Sequence, residues 1–264
     1  MPGSTNSPGR GALALASWLL VCACEADAPP AAPRRPSLVA ELRPAASALD
    51  GGRLDEARAV AGAYLARHPG DAQASFLMGL SFALADNHGA ARPFLETALE
   101  SAPDFDLAWE PLAKTRFLLG DLSGARDAYA EYARRVPGDP KGPHGLGLVE
   151  LEESHLVEAE ARFREALALL DALERADPRQ GMARRGERSE AHARLGDVYF
   201  ARADLAGARR ELTTAIGLSA GNLSALYTLG LVHRRLGEEA LALEVEARYE
   251  EARRARLAGP GDVR

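Results

Sequence analysis

Three prolines, Pro69, Pro103 and Pro137, stand 34 residues apart, and the residues before them keep step. Alanine occupies the place twelve residues ahead of each, at Ala57, Ala91 and Ala125. Five residues further back stand Gly52, Asp86 and Gly120. A period of this length means that one supersecondary unit is copied along the chain and that neighbouring copies bury each other's apolar faces. Composition says what the unit is made of. Apolar residues are 47% of the 264, ample for a buried interior, aromatics are 6%, and Ala, Leu, Glu and Arg are abundant. That mixture favours helix. Within each period Gly or Asp marks a turn, and proline stops the helix before it.

Further marks fall at matching places. Met78-Gly79 and Phe82 are followed by Ala91, Leu95, Ala98 and Pro103; Trp109 and Leu112-Ala113 are followed by Ala125, Tyr129 and Pro137. Leu146-Gly147 precedes Ala159, Phe163 and Ala166, and Leu195-Gly196 with Tyr199 precedes Ala208, Leu212 and Ala215, where Ala220 replaces proline. Leu226 and Leu229-Gly230 precede Gly237. This pattern resembles the tetratricopeptide repeat (TPR), whose helix A reads large-x-x-Leu-Gly-x-x-aromatic and whose helix B reads Ala-x-x-x-aromatic-x-x-Ala, then Pro. The resemblance implies an all-α solenoid of about six helix-turn-helix units in a right-handed superhelix. It covers residues 38–257, with units near 38–71, 72–105, 106–139, 140–171, 189–222 and 223–257, an insertion at 172–188 and a tail at 258–264. Small residues at the glycine position let helix A approach its neighbour closely, and a larger side chain there would overpack. Two units depart from the pattern. In the first, Pro44 sits where helix A should carry leucine, which predicts a kinked or shortened helix. In the last, helix B runs without the usual marks to about Leu257, as terminal units often do.

The insertion follows the fourth unit. Leu173 to Ala176 extend helix B, and Pro178 and Gly181 break it. Arg175, Arg179, Arg184, Arg185 and Arg188 outnumber the acids there, so the segment reads either as a basic lobe for anionic lipid or an acidic partner, or as a solvated loop.

The start of the chain reads differently. Residues 11–23 form an apolar run of thirteen behind Arg10, too short to span a bilayer and the size of a signal-peptide core. It ends Val21-Cys22-Ala23-Cys24, and these are the only cysteines. The ending resembles a bacterial lipobox, which implies a signal peptide over 1–23 and lipidation of Cys24. Cleavage there leaves no other thiol in the mature chain, which suits an oxidising periplasm. Residues 24–36 carry Pro29, Pro30, Pro33 and Pro36 and read as an extended tether. The expected location is the bacterial envelope, facing the periplasm, with the outer membrane preferred and plain secretion as the alternative.

Catalytic chemistry has no visible assembly. The six histidines lack metal-ligand spacing, no GxSxG elbow exists, and the mature body has no cysteine nucleophile. No enzyme, cofactor or metal is expected, and a net charge of −6 gives no reason to expect nucleic acid. By resemblance, certain helix A positions line the concave surface of the superhelix. They place Phe76, Leu80, Glu110, Lys114, Phe117, His144, Leu148, Leu151, Asp197, Phe200, Tyr227, Leu231 and Arg234 in a groove. The Lys and Asn pair with which some family members clamp a terminal carboxylate is absent at matching positions. Such a groove suits an apolar or amphipathic peptide or helix. The expected role is a non-catalytic scaffold for another envelope protein or peptide. The alternatives are an accessory or sensory subunit of a separate enzyme, or a pilotin or assembly factor for an outer-membrane complex.

Overall fold

The computed structural model describes residues 38–258. The signal peptide, Cys24, the whole tether and nearly all of the tail lie outside the described residues. Among those described there are thirteen α-helices, one short 3-10 turn and no strand. The turn, Ala40–Leu42, leads into α1 (Arg43–Asp50), which pairs with α2 (Leu54–Leu65). Next come the pairs α3 (Ala72–Leu84) with α4 (His88–Ser101), and α5 (Asp106–Leu118) with α6 (Leu122–Arg135). The fourth pair is α7 (Lys141–Glu152) with α8 (Leu156–Ala176), followed by the single short helix α9 (Pro178–Ala183). The last pairs are α10 (Arg185–Ala201) with α11 (Leu205–Leu218) and α12 (Leu223–Arg235) with α13 (Glu239–Ala258). Each second helix packs on the first helix of the following pair, and α3, α5 and α7 also touch in succession, as do α10 and α12. This is an all-α solenoid of hairpins stacked in sequence order.

One backbone device closes all six hairpins. Gly52, Gly120 and Gly237 take φ of 70°, 79° and 74° in their turns, and Asp86, Ser154 and Ala203 hold the equivalent places at 55°, 62° and 59°. Side-chain caps then start several helices. Asp121 accepts from Gly124 N–H at 3.0 Å, Asp204 from Gly207 N–H at 2.8 Å, and Asn87 from Ala90 N–H at 3.2 Å. Each satisfies an amide that the helix itself leaves open.

Within a hairpin the two helices meet through the small residue. A methyl group placed at Gly79 would lie 2.6 Å from Leu95 Cγ, and one at Gly147 would lie 2.8 Å from the ring of Phe163. Leu95 and Phe163 are fully buried, so their space is already taken. The core is a series of neighbouring apolar clusters. One joins the first two pairs around Leu42, Ala57, Tyr64 and Leu77, and another runs from Phe163 through Leu195, Leu212 and Leu226 to Val245.

Proline decides where the elements stop. The second helices ending at Leu65, Ser101 and Arg135 are followed within four residues by Pro69, Pro103 and Pro137. Asp171 stands where the fourth proline would fall, and α8 runs on to Ala176. Pro178 ends it by holding Asp177 in an extended conformation, φ −148° and ψ 106°. Pro44 acts as expected from its position: it falls in the first turn of an eight-residue α1.

The inserted segment differs from the solvated-loop expectation. It is helical through α9 and the first turn of α10, not a loop. Asp177 accepts from Arg179 N–H at 3.0 Å and Pro178 occupies the first turn, which together start a new helix one residue after the old one ends. Three of the five arginines are committed internally. Arg184 pairs with Glu187 at 2.9 Å, Arg188 pairs with Asp171 and Glu174, and Arg185 donates to the carbonyls of Leu218 (2.7 Å) and Gly217 (2.9 Å) at the end of α11.

Candidate functional site

Helical spacing places Glu110, Lys114 and Phe117 on one face of α5, and Lys141, His144, Leu148 and Leu151 on one face of α7. Together with Glu190 and Arg194 of α10 these side chains enclose a cavity of about 550 Å³. Its wall also includes Tyr129 from α6, which reaches past Gly145; any side chain at Gly145 would collide with that ring. A smaller recess of about 100 Å³ shares Lys141, His144 and Glu190 with the cavity and is otherwise lined by Pro140, Ala166, Leu170, Glu187 and Ala191.

Burial and charge set the state of these groups. Burial pushes the Glu110 carboxyl above its ordinary value, opposed by the ammonium groups of Lys141 and Lys114. The Tyr129 phenol is pushed up by burial, with the charge of Glu110 adding to the effect. His144 packs edge-on against Phe163, ring centres 5.5 Å apart, and its Nε2 is enclosed without a partner. Burial lowers its pKa to about 4; Glu190 opposes the shift and Arg194 adds to it. The imidazole is therefore neutral at pH 7. Arg194 is held by Glu190 at 2.6 Å and Asp197 at 3.2 Å, and also donates to Ser224 Oγ.

Six of the residues predicted to line a groove meet here: Glu110, Lys114, Phe117, His144, Leu148 and Leu151. The others lie elsewhere along the stack. Phe76 lies tilted against Phe105, ring centres 4.9 Å apart, and with Leu80 packs on the apolar cluster shared by the first two pairs. Asp197 accepts from Thr228 Oγ1 at 2.7 Å and joins α10 to α12. The guanidinium of Arg235 covers the Phe200 ring at 4.2 Å. Tyr227 is 59% exposed beside Tyr249, Leu231 is half-buried, and Arg234 pairs with Glu246 at 2.7 Å. Sequence reasoning missed Tyr129, Lys141, Glu190 and Arg194 as cavity residues. Tyr129 reads as helix B core, and the one available signal was glycine at 145, which no packing position of the repeat required.

Spacing in the sequence also missed a trio formed across a turn. The ligand atoms of Glu150, Glu153 and His155 lie within 4.8 Å of one another. Both carboxylates are already paired with Arg126, and His155 Nδ1 lies 2.9 Å from Glu150.

The stacked hairpins define the class: a helical repeat protein with a cavity between successive first helices. The pattern of the tetratricopeptide repeat matches residues 45–105, 89–140 and 193–256, more than half of the chain. The chain belongs to the tetratricopeptide repeat family. No curated protein sequence matches it. Among solved structures, Pseudomonas aeruginosa pilF aligns over 82% of this chain and 96% of its own, with TM-score 0.62 and 14% identity. MamA from Desulfovibrio magneticus RS-1 aligns over 67% and 92%, with TM-score 0.55 and 17% identity. YrrB, a TPR protein with an unusual peptide-binding site, aligns over 69% and 87%, with TM-score 0.53 and 18% identity. At these identities the likeness is one of fold.

Proposed function

We propose that this protein is a non-catalytic interaction scaffold that holds a segment of another protein against its inner helices, centred on the cavity between α5, α7 and α10. The cavity itself carries the reading. It combines apolar walls from Phe117, Leu148 and Leu151 with a few charged groups, the mixture that orients a bound chain. The unusual peptide-binding site of YrrB, on the same fold, is consistent with this use. The lipobox-like Val21-Cys22-Ala23-Cys24 adds a second part of the proposal: a lipid on Cys24 and a proline-rich tether hold the scaffold in the bacterial envelope, facing the periplasm, where the partner is another envelope protein.

A photo-crosslinking side chain at position 117, compared with one at position 162 on an exposed face of α8, tests the scaffold. The expected result is a discrete crosslinked partner from 117 alone. The same species from both positions overturns the reading. Fatty-acid labelling of wild type and Cys24→Ser tests the anchor independently; equal labelling removes it.

A further inference from the structure

The charges that line the cavity cancel: Glu110, Glu152 and Glu190 stand against Lys114, Lys141 and Arg194. Most of them are also satisfied. Lys114, Lys141 and Glu152 are exposed and solvated, and Glu190 holds Arg194 at 2.6 Å. Two inner groups have no such partner. Tyr129 is 3% exposed, and its hydroxyl makes no hydrogen bond among the described residues. Glu110 is half-buried and makes neither a hydrogen bond nor an ion pair there; Lys141 and Lys114 act on it only through space. Folded proteins keep unmatched inner polar groups rare, because each forfeits its hydration without return. Two of them bordering one cavity point to a ligand that matches both.

Tyr129 is where the third unit departs from its neighbours. The same place in helix B holds Leu95, Phe163 and Leu212, none of which carries a polar atom. Gly145 clears the path for it: a methyl group there would lie 2.1 Å from the ring. Phenylalanine would fill the same core volume, so packing alone does not call for the hydroxyl.

The two groups differ in what they offer. Burial keeps the phenol protonated, so it donates, and a carboxyl oxygen of Glu110 accepts. The charge of Glu110 acts on the phenol, yet the two are not bonded to each other. A donor and an acceptor in that relation leave room for a bridging group that accepts on one side and donates on the other. A carboxylate only accepts and an ammonium group only donates. On a wall of no net charge, neither recovers the cost of leaving water. A carboxamide does both, through separate atoms. We propose that the cavity reads an uncharged carboxamide, the side chain of an Asn or Gln in the bound segment of the partner, with its oxygen accepting from the Tyr129 hydroxyl and its NH2 donating to Glu110. The proposal rests on the scaffold reading and names the chemistry of its ligand.

Fluorescence anisotropy on the full chain tests this with four labelled peptides of leucine and alanine that differ at one central position, occupied by glutamine, methionine, glutamate or lysine. The dye caps the N-terminus and an N-methylamide caps the C-terminus, so no terminal charge or primary amide competes. The glutamine peptide binds about tenfold or more tighter than the methionine peptide, the worth of two matched hydrogen bonds, and tighter than the glutamate and lysine peptides. Tyr129→Phe removes the advantage of glutamine over methionine and leaves the methionine affinity unchanged. It does not lower the thermal midpoint, since the hydroxyl bonds to nothing within the fold. Equal binding of the glutamine and methionine peptides, tightest binding by the glutamate or lysine peptide, a glutamine preference that survives Tyr129→Phe, or binding by none of them each overturns the inference. A discrete crosslink from position 117 alongside any of these leaves the scaffold reading standing, so the two fail separately.

Discussion

Adding a methyl group at the same repeat position has opposite consequences in two units. At Gly79 it would press on buried Leu95, whose backbone nitrogen lies 3.1 Å from the new carbon, whereas at Gly230 the nearest atom is Glu246 Cγ at 3.6 Å. Gly79→Ala is expected to destabilise by about 1–3 kcal/mol through overpacking. Gly230→Ala is expected to stabilise by roughly 0.5–1 kcal/mol, because glycine in a helix interior gives up more chain entropy. Urea unfolding of the two variants checks the contrast, and a shift of the same sign in both refutes it. Ala203, at φ 59°, holds the turn place that glycine takes elsewhere. Ala203→Gly should therefore raise stability by about 1 kcal/mol, read as a higher thermal midpoint. His144 adds a pH dependence. Its folded pKa is about 4 against an ordinary 6.5, so the unfolded chain binds its proton first as pH falls. Stability is lost between pH 6.5 and 4 and levels off below, by roughly 3 kcal/mol at most. His144→Phe should flatten that window in denaturant titrations, whereas an unchanged profile would show that other groups set it. The glycines were legible by spacing. Which of them is tightly opposed was not, because α13 lacks the large residue that Leu95 and Phe163 supply elsewhere.

At the scale of the helix, stops and starts were readable wherever one residue acts through its own backbone. Pro44 shortened α1, and the missing proline at 171 let α8 continue to Ala176. The inserted segment was misread because Asp177-Pro178 can end one helix and begin another, and only packing shows that both occur. Its arginines looked free in sequence, since their partners lie between 3 and 45 positions away, as Arg184 with Glu187 and with Asp139. Arg185 is the informative case. It fastens α10 to the last carbonyls of α11, Gly217 and Leu218. Arg185→Ala is expected to cost about 1 kcal/mol, the net worth of such bonds at an exposed site, and to speed amide exchange at the N-terminal end of α10. Unchanged exchange there would show that the contact carries no weight.

Over the whole stack, stability is shared among neighbouring clusters, so each pair depends chiefly on the pairs beside it. The end helices α1 and α13 each lack a neighbour on one side among the described residues. Hydrogen exchange should accordingly be fastest there and slowest through α5 to α8; uniform protection would contradict a nearest-neighbour stack. The inner-helix row illustrates the limit of reading a repeat. Spacing assigns a side chain to a row. Spacing does not say which members of a row are already engaged, and Asp197, Phe200 and Arg234 each have an intramolecular partner.

The sequence by itself determined that this chain is a stack of helical hairpins. Turn glycines, small residues at close approaches and stop prolines all act locally, through backbone sterics and side-chain volume, so their period is enough. Only the tertiary structure decided where the cavity lies. The cavity depends on α10 restarting against α7 and α8 after an irregular insertion, and on a tyrosine reaching past Gly145. Those are outcomes of competition among groups far apart in the chain, and no local pattern encodes them.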